Sequence, residues 1–382
     1  MKANNIFRVT LLSYLLMTIG GKEVKTITSG ANSLIHTSQQ VNKAIKTEDG
    51  DVYNCVDMYQ QPTFKHPLLK DHKIQMEPSS FPIGMDVESP LVDTVSYAQL
   101  STIDCPVGTI PILRDNKVDI TMEQHIGMLA SDNVQELDAG ITYRDEIYGT
   151  RASINVYEPK VKNDSKDYSS SWIQIGYVPE GSNVVGIGAG SCVYPSFNRD
   201  SYARFHISWV NEQLNKSCTN HNCPGFVQVS PSIGIGGRIQ PISLYKGPQY
   251  VIDVLIFKDP KTKNWWLSYG SNNTPIGYWP SSQFSYIKEK GNFAFWGGFV
   301  QGPTASSDSP QMGSGHFASE GFGKAAFVRN ILAIKDGSNM LVTPNVRRSY
   351  PRSDDLRSYG VDGFGLNDDG MHVYYGGPGK YD

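Results

Sequence analysis

Cysteines are the residues whose spacing in this chain most directly suggests chemistry, and they stand at Cys55, Cys105, Cys192, Cys218 and Cys223. Cys218 and Cys223 enclose four residues, one of which is His221, so the pair could close a disulfide loop or contribute to a zinc site. A structural zinc site usually takes four ligands, often as two such pairs, and the sequence offers no second pair. We therefore predict a Cys218–Cys223 disulfide and no metal site.

The other three cysteines divide into a second candidate pair and one left over. Cys55 and Cys105 flank the early part of the chain and are predicted to form the second disulfide if the chain is exported. Cys192 would be a nucleophile only beside a general base, and nothing around it matches a cysteine-protease signature. The favoured interpretation is that Cys192 is a small buried apolar residue.

Two glycine-rich segments, 186–190 and 234–237, superficially resemble nucleotide-binding loops. Such a loop binds phosphate through the N terminus of a helix that follows it. The first segment continues as Ser-Cys-Val-Tyr-Pro and the second as Arg-Ile-Gln-Pro, and neither continuation starts a helix. Both segments are predicted to be strands that the backbone or a ligand approaches closely. No other metal or cofactor motif is present, so no cofactor is expected.

Short strands are the elements that the sequence predicts for positioning these residues. In 203–210, Phe205, Ile207 and Trp209 alternate with polar residues, which is the period of a half-buried strand. Similar strands are predicted at 226–229, 250–257, 265–269 and 293–300, with Gly, Pro and Asn turns between them. The fold class predicted for 146–382 is an all-β, antiparallel two-sheet sandwich. Helical turns at 51–59 and 68–76 predict a smaller mixed α/β region before it.

Composition agrees with this fold class and excludes several others. The 382 residues include 37 Gly and 22 Pro, and only 19% are charged, unlike a helical bundle. Lys and Arg number 34 against 37 Asp and Glu, so the net charge of −3 does not favour binding to nucleic acid. Apolar residues make up 39%, which suffices for a packed interior.

The N-terminal segment predicts secretion. Lys2 and Arg8 precede an apolar run over 9–21, which is short for a membrane span but suits a signal peptide at 1–21; a buried helix or short anchor is the alternative. Acceptor triplets for N-glycosylation begin at Asn163, Asn215 and Asn272. We expect an extracellular protein with no membrane contact after signal removal, with a pro-region at 22–145.

Five stretches of the chain carry a resemblance to a known family. Residues 51–75 and 105–114 resemble the neprosin activation peptide, and 218–228, 311–326 and 375–379 resemble the neprosin domain. The resemblance implies a secreted, self-inhibited precursor, with a pro-region that covers the active cleft. It also implies a β-sandwich glutamic peptidase that cuts beside proline.

The same resemblance implies two catalytic glutamates, and neither is present. In the segment that resembles Ile-Glu-Ala-Gly-Trp the first glutamate position holds Gly188, and in the segment that resembles Trp-Gly-Gly-Glu-Val the second holds Phe299. The cleft positions implied nearby are Tyr194, Trp296, Gly297 and Gly298. We expect a catalytically silent relative that binds a peptide or protein, with the Phe299 ring filling the space vacated at Gly188. The alternative is that Phe299 packs into a closed core.

Two further functions remain open at this point. One is an active peptidase that uses substitutes such as Glu320, His316 or Cys192. The other is a carbohydrate-binding or cell-wall-binding sandwich in which aromatic rings stack on sugars, although core packing is the favoured interpretation of those rings. The rings concerned are Trp265, Trp266, Tyr269, Tyr278 and Trp279.

Overall fold

Two antiparallel sheets packed face to face form the body of the protein, as the sequence predicts. The structure is a computed structural model that describes residues 41–84, 95–114, 135–180, 184–212, 216–367 and 370–380. The predicted signal peptide at 1–21 and the acceptor Asn215 lie outside the described residues. Among the described residues no helix is long and apolar enough to cross a membrane.

The first sheet has seven strands, and β17 lies between β8 and β6 near its centre. In spatial order the strands are β11 (Lys216–Thr219), β10 (Arg204–Asn211), β9 (Val185–Val193), β8 (Tyr168–Tyr177), β17 (Gly291–Gly302), β6 (Gln135–Ile147) and β19 (Ser349–Ser353). All six pairings are antiparallel. A single-turn helix, α1 (Pro195–Asn198), follows β9.

The second sheet has nine strands. In spatial order eight of them are β12 (Val227–Gln228), β16 (Thr274–Trp279), β15 (Trp265–Tyr269), β14 (Gln249–Lys258), β7 (Gly149–Asn155), β18 (Ala326–Ile334), β21 (Gly370–Gly376) and β20 (Gly360–Asn367). The ninth, β3 (Val95–Tyr97), comes from the N-terminal region and pairs with β14 in parallel.

The core lies between the two sheets and is filled from alternate positions of each strand. On β10 the residues Phe205, Ile207 and Trp209 are buried, as their period of two predicts. Trp296 of β17 points into the same core, where its indole Nε1 donates a hydrogen bond to Thr150 Oγ1 at 2.9 Å. The opposite face of the seven-stranded sheet is therefore free to carry a different set of side chains.

The described N-terminal region is built from strands and 3₁₀ turns. A three-stranded sheet contains β1 (Val41–Lys46), β2 (Val52–Asp57) and β5 (Thr109–Leu113), and β4 (Gln99–Leu100) pairs with β13 (Ile239–Gln240). The predicted helix at 51–59 is wrong, because alternating Tyr53 and Cys55 are buried on one face of β2. Of the predicted helix at 68–76, only a 3₁₀ turn at Pro67–Leu69 forms.

The two predicted disulfides are present, Cys55–Cys105 and Cys218–Cys223. Cys192 is a buried free thiol, and its burial raises the pKa of that thiol to about 12, so it stays protonated and is not a nucleophile. Strand β6 crosses the predicted boundary between 145 and 146, so the seven-stranded sheet begins inside the predicted pro-region.

The Cys55–Cys105 disulfide closes a loop with a sequence separation of 50, against 5 for Cys218–Cys223. Because the stabilisation grows with the loop closed, we expect Cys55→Ser with Cys105→Ser to lower the unfolding free energy by about 4 kcal/mol. The Cys218→Ser and Cys223→Ser double variant, which is the matched control, should lose about 2 kcal/mol. Urea unfolding followed by circular dichroism measures both; equal losses would contradict the expectation.

Candidate functional site

A groove with a volume of about 270 Å³ lies on the outer face of the seven-stranded sheet. Its lining comes mainly from β8, β17 and β6, at the positions that alternate with the core residues. Aromatic rings form its centre, and polar residues lie around them. The lining includes Trp172, Gln174, Phe293, Phe295, Phe299, Gln301, Glu136, Asp138 and Arg352.

The space over Gly188 is filled by Trp172. A Cβ placed on Gly188 would overlap Trp172 Nε1 and would lie 2.8 Å from the carbonyl oxygen of Ile173. The Trp172 side chain therefore lies directly on the backbone of β9, which only a glycine permits. The prediction that the Phe299 ring fills this space is wrong, because Trp172 occupies it.

Phe299 packs against the same indole. Its ring centroid lies 5.8 Å from that of Trp172 and 5.8 Å from that of Tyr168, and both contacts are edge-on. Phe299 also lines the groove, so it is not buried in a closed core. Gly188 and Phe299, the two positions that the resemblance assigns to the catalytic glutamates, thus both contact Trp172, and neither has an ionisable side chain.

The four predicted cleft residues divide between the two faces of the sheet. Trp296 is fully buried in the inter-sheet core, and a Cβ on Gly298 would lie 2.5 Å from the Tyr375 ring on that same side. These two residues are therefore not cleft residues, because β17 alternates its faces. Gly297 shares the face of Phe299. Tyr194 is half-buried beside the groove-lining Tyr168, with ring centroids 4.7 Å apart.

The predicted substitutes Glu320 and His316 contact each other, but neither lines the groove. His316 Nδ1 lies 3.0 Å from Glu320 Oε1, and Tyr245 donates a hydrogen bond from its hydroxyl to Glu320 Oε2 at 2.8 Å. The Tyr245 ring also stacks on His316 with centroids 3.9 Å apart. This cluster is a surface network with no carboxyl partner for Glu320 at the groove.

The groove has acidic residues that the sequence analysis missed. Glu136 and Asp138 project from β6, and Asp138 lies directly opposite Phe299 in the register of β6 and β17. Arg352 Nε lies 2.8 Å from Asp138 Oδ1, and Arg352 Nη2 lies 3.0 Å from Asp354 Oδ1. The alternation of acidic and apolar residues in 135–141 is a strand signal, but it fell within the predicted pro-region.

The pKa of Asp138 is raised to about 7. Burial is the main cause and outweighs the lowering effect of Arg352, while the carboxyl groups of Asp354 and Glu136 raise it further. Burial also raises the pKa of Glu136. The groove therefore contains a carboxyl that can hold a proton close to neutral pH.

The aromatic cluster considered for sugar binding is buried. Each of its five rings is at most 6% exposed, and they are Trp265, Trp266, Tyr269, Tyr278 and Trp279. Buried rings cannot stack on a sugar in solution, so this basis for carbohydrate binding is wrong. Of the predicted glycosylation sites, Asn163 and Asn272 are exposed.

Comparison with known proteins gives two family matches and several structural likenesses. The family model described as neprosin matches residues 165–378, and the one described as neprosin activation peptide matches residues 44–151. A scytalido-glutamic peptidase structure with a transition state analog inhibitor is 12% identical, covers 63% of this chain and 97% of its own, and has a TM-score of 0.35.

Two further structures are similar at lower scores. SCP-B, a member of the Eqolisin family of peptidases in complex with the tripeptide Ala-Ile-His, is 10% identical over 63% of this chain and 98% of its own, with a TM-score of 0.30. The CBM40 of the Ruminococcus gnavus IT-sialidase, bound to alpha2,6 sialyllactose, is 15% identical, covers 46% of this chain and 92% of its own, and has a TM-score of 0.23. The chain is therefore assigned to a family from the two family-model matches and not from these structural likenesses.

The contact between Trp172 and Gly188 can be tested by adding a single methyl group. Gly188→Ala should displace the indole and lower the unfolding free energy by about 1–3 kcal/mol, and a glutamate there would meet the same obstruction. Gly337→Ala is the matched control, because a Cβ there meets nothing within 4 Å. Urea unfolding followed by tryptophan fluorescence measures both; a neutral Gly188→Ala would show that the indole does not rest on β9.

The raised pKa of Asp138 has a consequence for stability. The pKa of Asp138 in the folded state, about 7, lies above the ordinary value of 3.8, so the folded protein binds this proton more tightly than the unfolded chain does. The contribution of Asp138 to the unfolding free energy should therefore fall as the pH rises from about 4 to 7, by at most about 4 kcal/mol. Asp138→Asn should remove this fall, whereas Asp104→Asn, at an exposed side chain, should not. Urea unfolding at several pH values measures it, and parallel curves for wild type and Asp138→Asn would contradict it.

Proposed function

This chain belongs to the neprosin family, a peptidase-like family, and from that premise we propose that it binds peptides in the groove of its seven-stranded sheet without hydrolysing them. The observation that carries the proposal is the apolar contact of Trp172 with both catalytic positions, Gly188 and Phe299. The proposal also holds that the protein is exported, as secretion in the family and the two disulfides support.

Peptide hydrolysis by a glutamic peptidase needs two carboxyl groups in different protonation states. One takes a proton from the attacking water, and the other, kept protonated, polarises the scissile carbonyl. Gly188 has no side chain, and Phe299 has no ionisable group. The Trp172 indole also occupies space where a side chain at position 188 would stand.

The groove keeps features that suit a bound peptide. The half-buried ring of Phe299 is available to a ligand, and the almost fully buried rings of Trp172 and Phe295 complete an apolar lining around it; proline-containing segments in extended conformation dock on aromatic-lined grooves. Gln174 and Gln301 add amide groups that can bond to a peptide backbone. A proline-containing peptide is therefore the ligand class that we propose.

A second candidate function is hydrolysis by acids other than the family pair. One observation favours it: Asp138 lies directly across from Phe299, and its pKa of about 7 lets it exchange a proton near neutral pH. Glu136 lies two residues away on the same face of β6. Arg352 already bridges Asp138 to Asp354, which favours a positioning role for this group over a catalytic one.

A combined binding and hydrolysis assay tests the proposal on the full-length protein. Proline-containing peptides should quench or shift tryptophan fluorescence on binding, with no cleavage detected by mass spectrometry from pH 2 to 7. Phe299→Ala should raise the Kd by about tenfold through loss of its ring contacts. Phe322→Ala, at an exposed ring outside the groove lining, should leave the Kd unchanged.

The two candidate functions give different results in this assay. Cleavage that is lost in Asp138→Asn and retained in Phe322→Ala would replace the binding proposal with the second candidate. Absence of both binding and cleavage would overturn both.

A further inference from the structure

The described residues of the predicted pro-region that precede β6, 41–84 and 95–114, contact the nine-stranded sheet, the loops at its edges and strand β10. None of these residues lines the groove, whose lining begins at Glu136. The expectation of a lid over the cleft is therefore wrong for the described part of this segment. Because strands β3 and β4 pair with β14 and β13, the segment is joined to the sandwich by backbone hydrogen bonds.

The side chain of Tyr53, from the predicted pro-region, packs against the glycine-rich segment at 234–237. A Cβ on Gly234 would lie 2.5 Å from Tyr53 Cζ, and a Cβ on Gly237 would lie 2.6 Å from the Tyr53 hydroxyl. Tyr53 is 2% exposed, so its ring is enclosed by this contact. The close approach predicted for this segment is thus made by a tyrosine of the same chain, whereas the predicted strand over 234–237 is wrong, because the segment forms a turn before β13.

A buried ion pair fixes the same region. Arg204 of β10 contacts Asp51 through both terminal nitrogens, at 2.7 Å from Nη1 to Oδ2 and 2.9 Å from Nη2 to Oδ1. The side chains are only 7% and 13% exposed. Arg204 also binds Asp200 and the carbonyl oxygen of Gly236. A bidentate pair of this kind is directional, and removing one partner leaves a buried charge poorly compensated.

Gln61 covers one edge of the nine-stranded sheet. Its Nε2 donates to the carbonyl oxygen of Gln228 at 3.2 Å, and its Oε1 accepts from the Gln228 amide at 2.8 Å. The side chain therefore replaces the backbone of a neighbouring strand at the edge strand β12. An edge satisfied in this way is protected against pairing with another chain.

The outer face of the same sheet is held by polar and apolar contacts. Ser79 donates two hydrogen bonds to Asp259, at 2.5 Å from its backbone nitrogen and 2.6 Å from Oγ, and Gln75 donates a third at 2.9 Å. Although burial alone would raise it, these bonds lower the pKa of Asp259 to about 2. Phe81 lies against Phe257, with ring centroids 5.7 Å apart.

We propose that residues 41–84 and 95–114 form a permanent clamp on the nine-stranded sheet, the segment 234–237 and strand β10 of the seven-stranded sheet, and that this clamp stays bound when the chain is cut between Arg114 and Gln135. Neither disulfide joins the clamp to the sandwich, since Cys55–Cys105 lies within the clamp and Cys218–Cys223 within the sandwich. Retention of the clamp after cutting therefore depends on non-covalent contacts such as those described above.

The proposal is tested with a specific protease site inserted between Arg114 and Gln135 of the full-length protein. After complete cutting, the two fragments should elute together in size-exclusion chromatography at pH 7 and 0.5 M NaCl (about 4 Å screening length). Separate elution of the N-terminal fragment from a sandwich that remains folded by circular dichroism would overturn the proposal.

Variants of the cut protein test whether the named contacts are responsible. Asp51→Ala should raise the dissociation constant of the two fragments by at least about tenfold, because it leaves Arg204 buried with fewer partners. Asp104→Ala is the matched control, because its side chain is exposed in the same segment. Equal dissociation constants for the two variants would overturn the assignment of Asp51–Arg204 to the clamp.

Discussion

The contact of the Trp172 indole with the bare backbone of β9 decides what the groove can do. Trp172 rests where a side chain at Gly188 would stand, and its ring also packs edge-on with Phe299. One ring therefore links the two positions that the resemblance assigns to the catalytic glutamates. The glycine at 188 is needed for this packing, because a Cβ there would overlap the indole. The groove that results is apolar at its centre.

Charged side chains lie on the β6 side of this apolar centre, and the acidic ones outnumber the basic ones. Glu136, Asp138 and Asp354 surround a single guanidinium, that of Arg352. With more acids than bases in a partly buried place, the pKa of Asp138 rises until the carboxyl holds a proton near neutral pH. Burial and crowding of like charges thus keep one carboxyl of the groove protonated, although it lies one strand away from the family position.

Sequence patterns that act locally were sufficient for much of the fold. The period of two in β10 identified its buried face, and the short spacing of Cys218 and Cys223 identified their disulfide. Such local patterns do not predict which side chains of different strands contact each other. Nothing in the order of residues says that Trp172 of β8 lies over β9, or which of the two alternating faces of β17 packs against the other sheet. The acids of β6 were missed because the predicted domain boundary cut through that strand.

The two glycine-rich segments share one physical role, although they lie in different parts of the fold. At Gly188 the missing Cβ admits the indole of Trp172, and at Gly234 it admits the ring of Tyr53. An aromatic ring gains most from burial when it can lie against a surface without protrusions, and a glycine backbone offers that surface. The first contact shapes the groove and the second attaches the N-terminal region. Gly188 and Gly234 therefore each accommodate an aromatic side chain, and neither segment leads into the helix that a phosphate site requires.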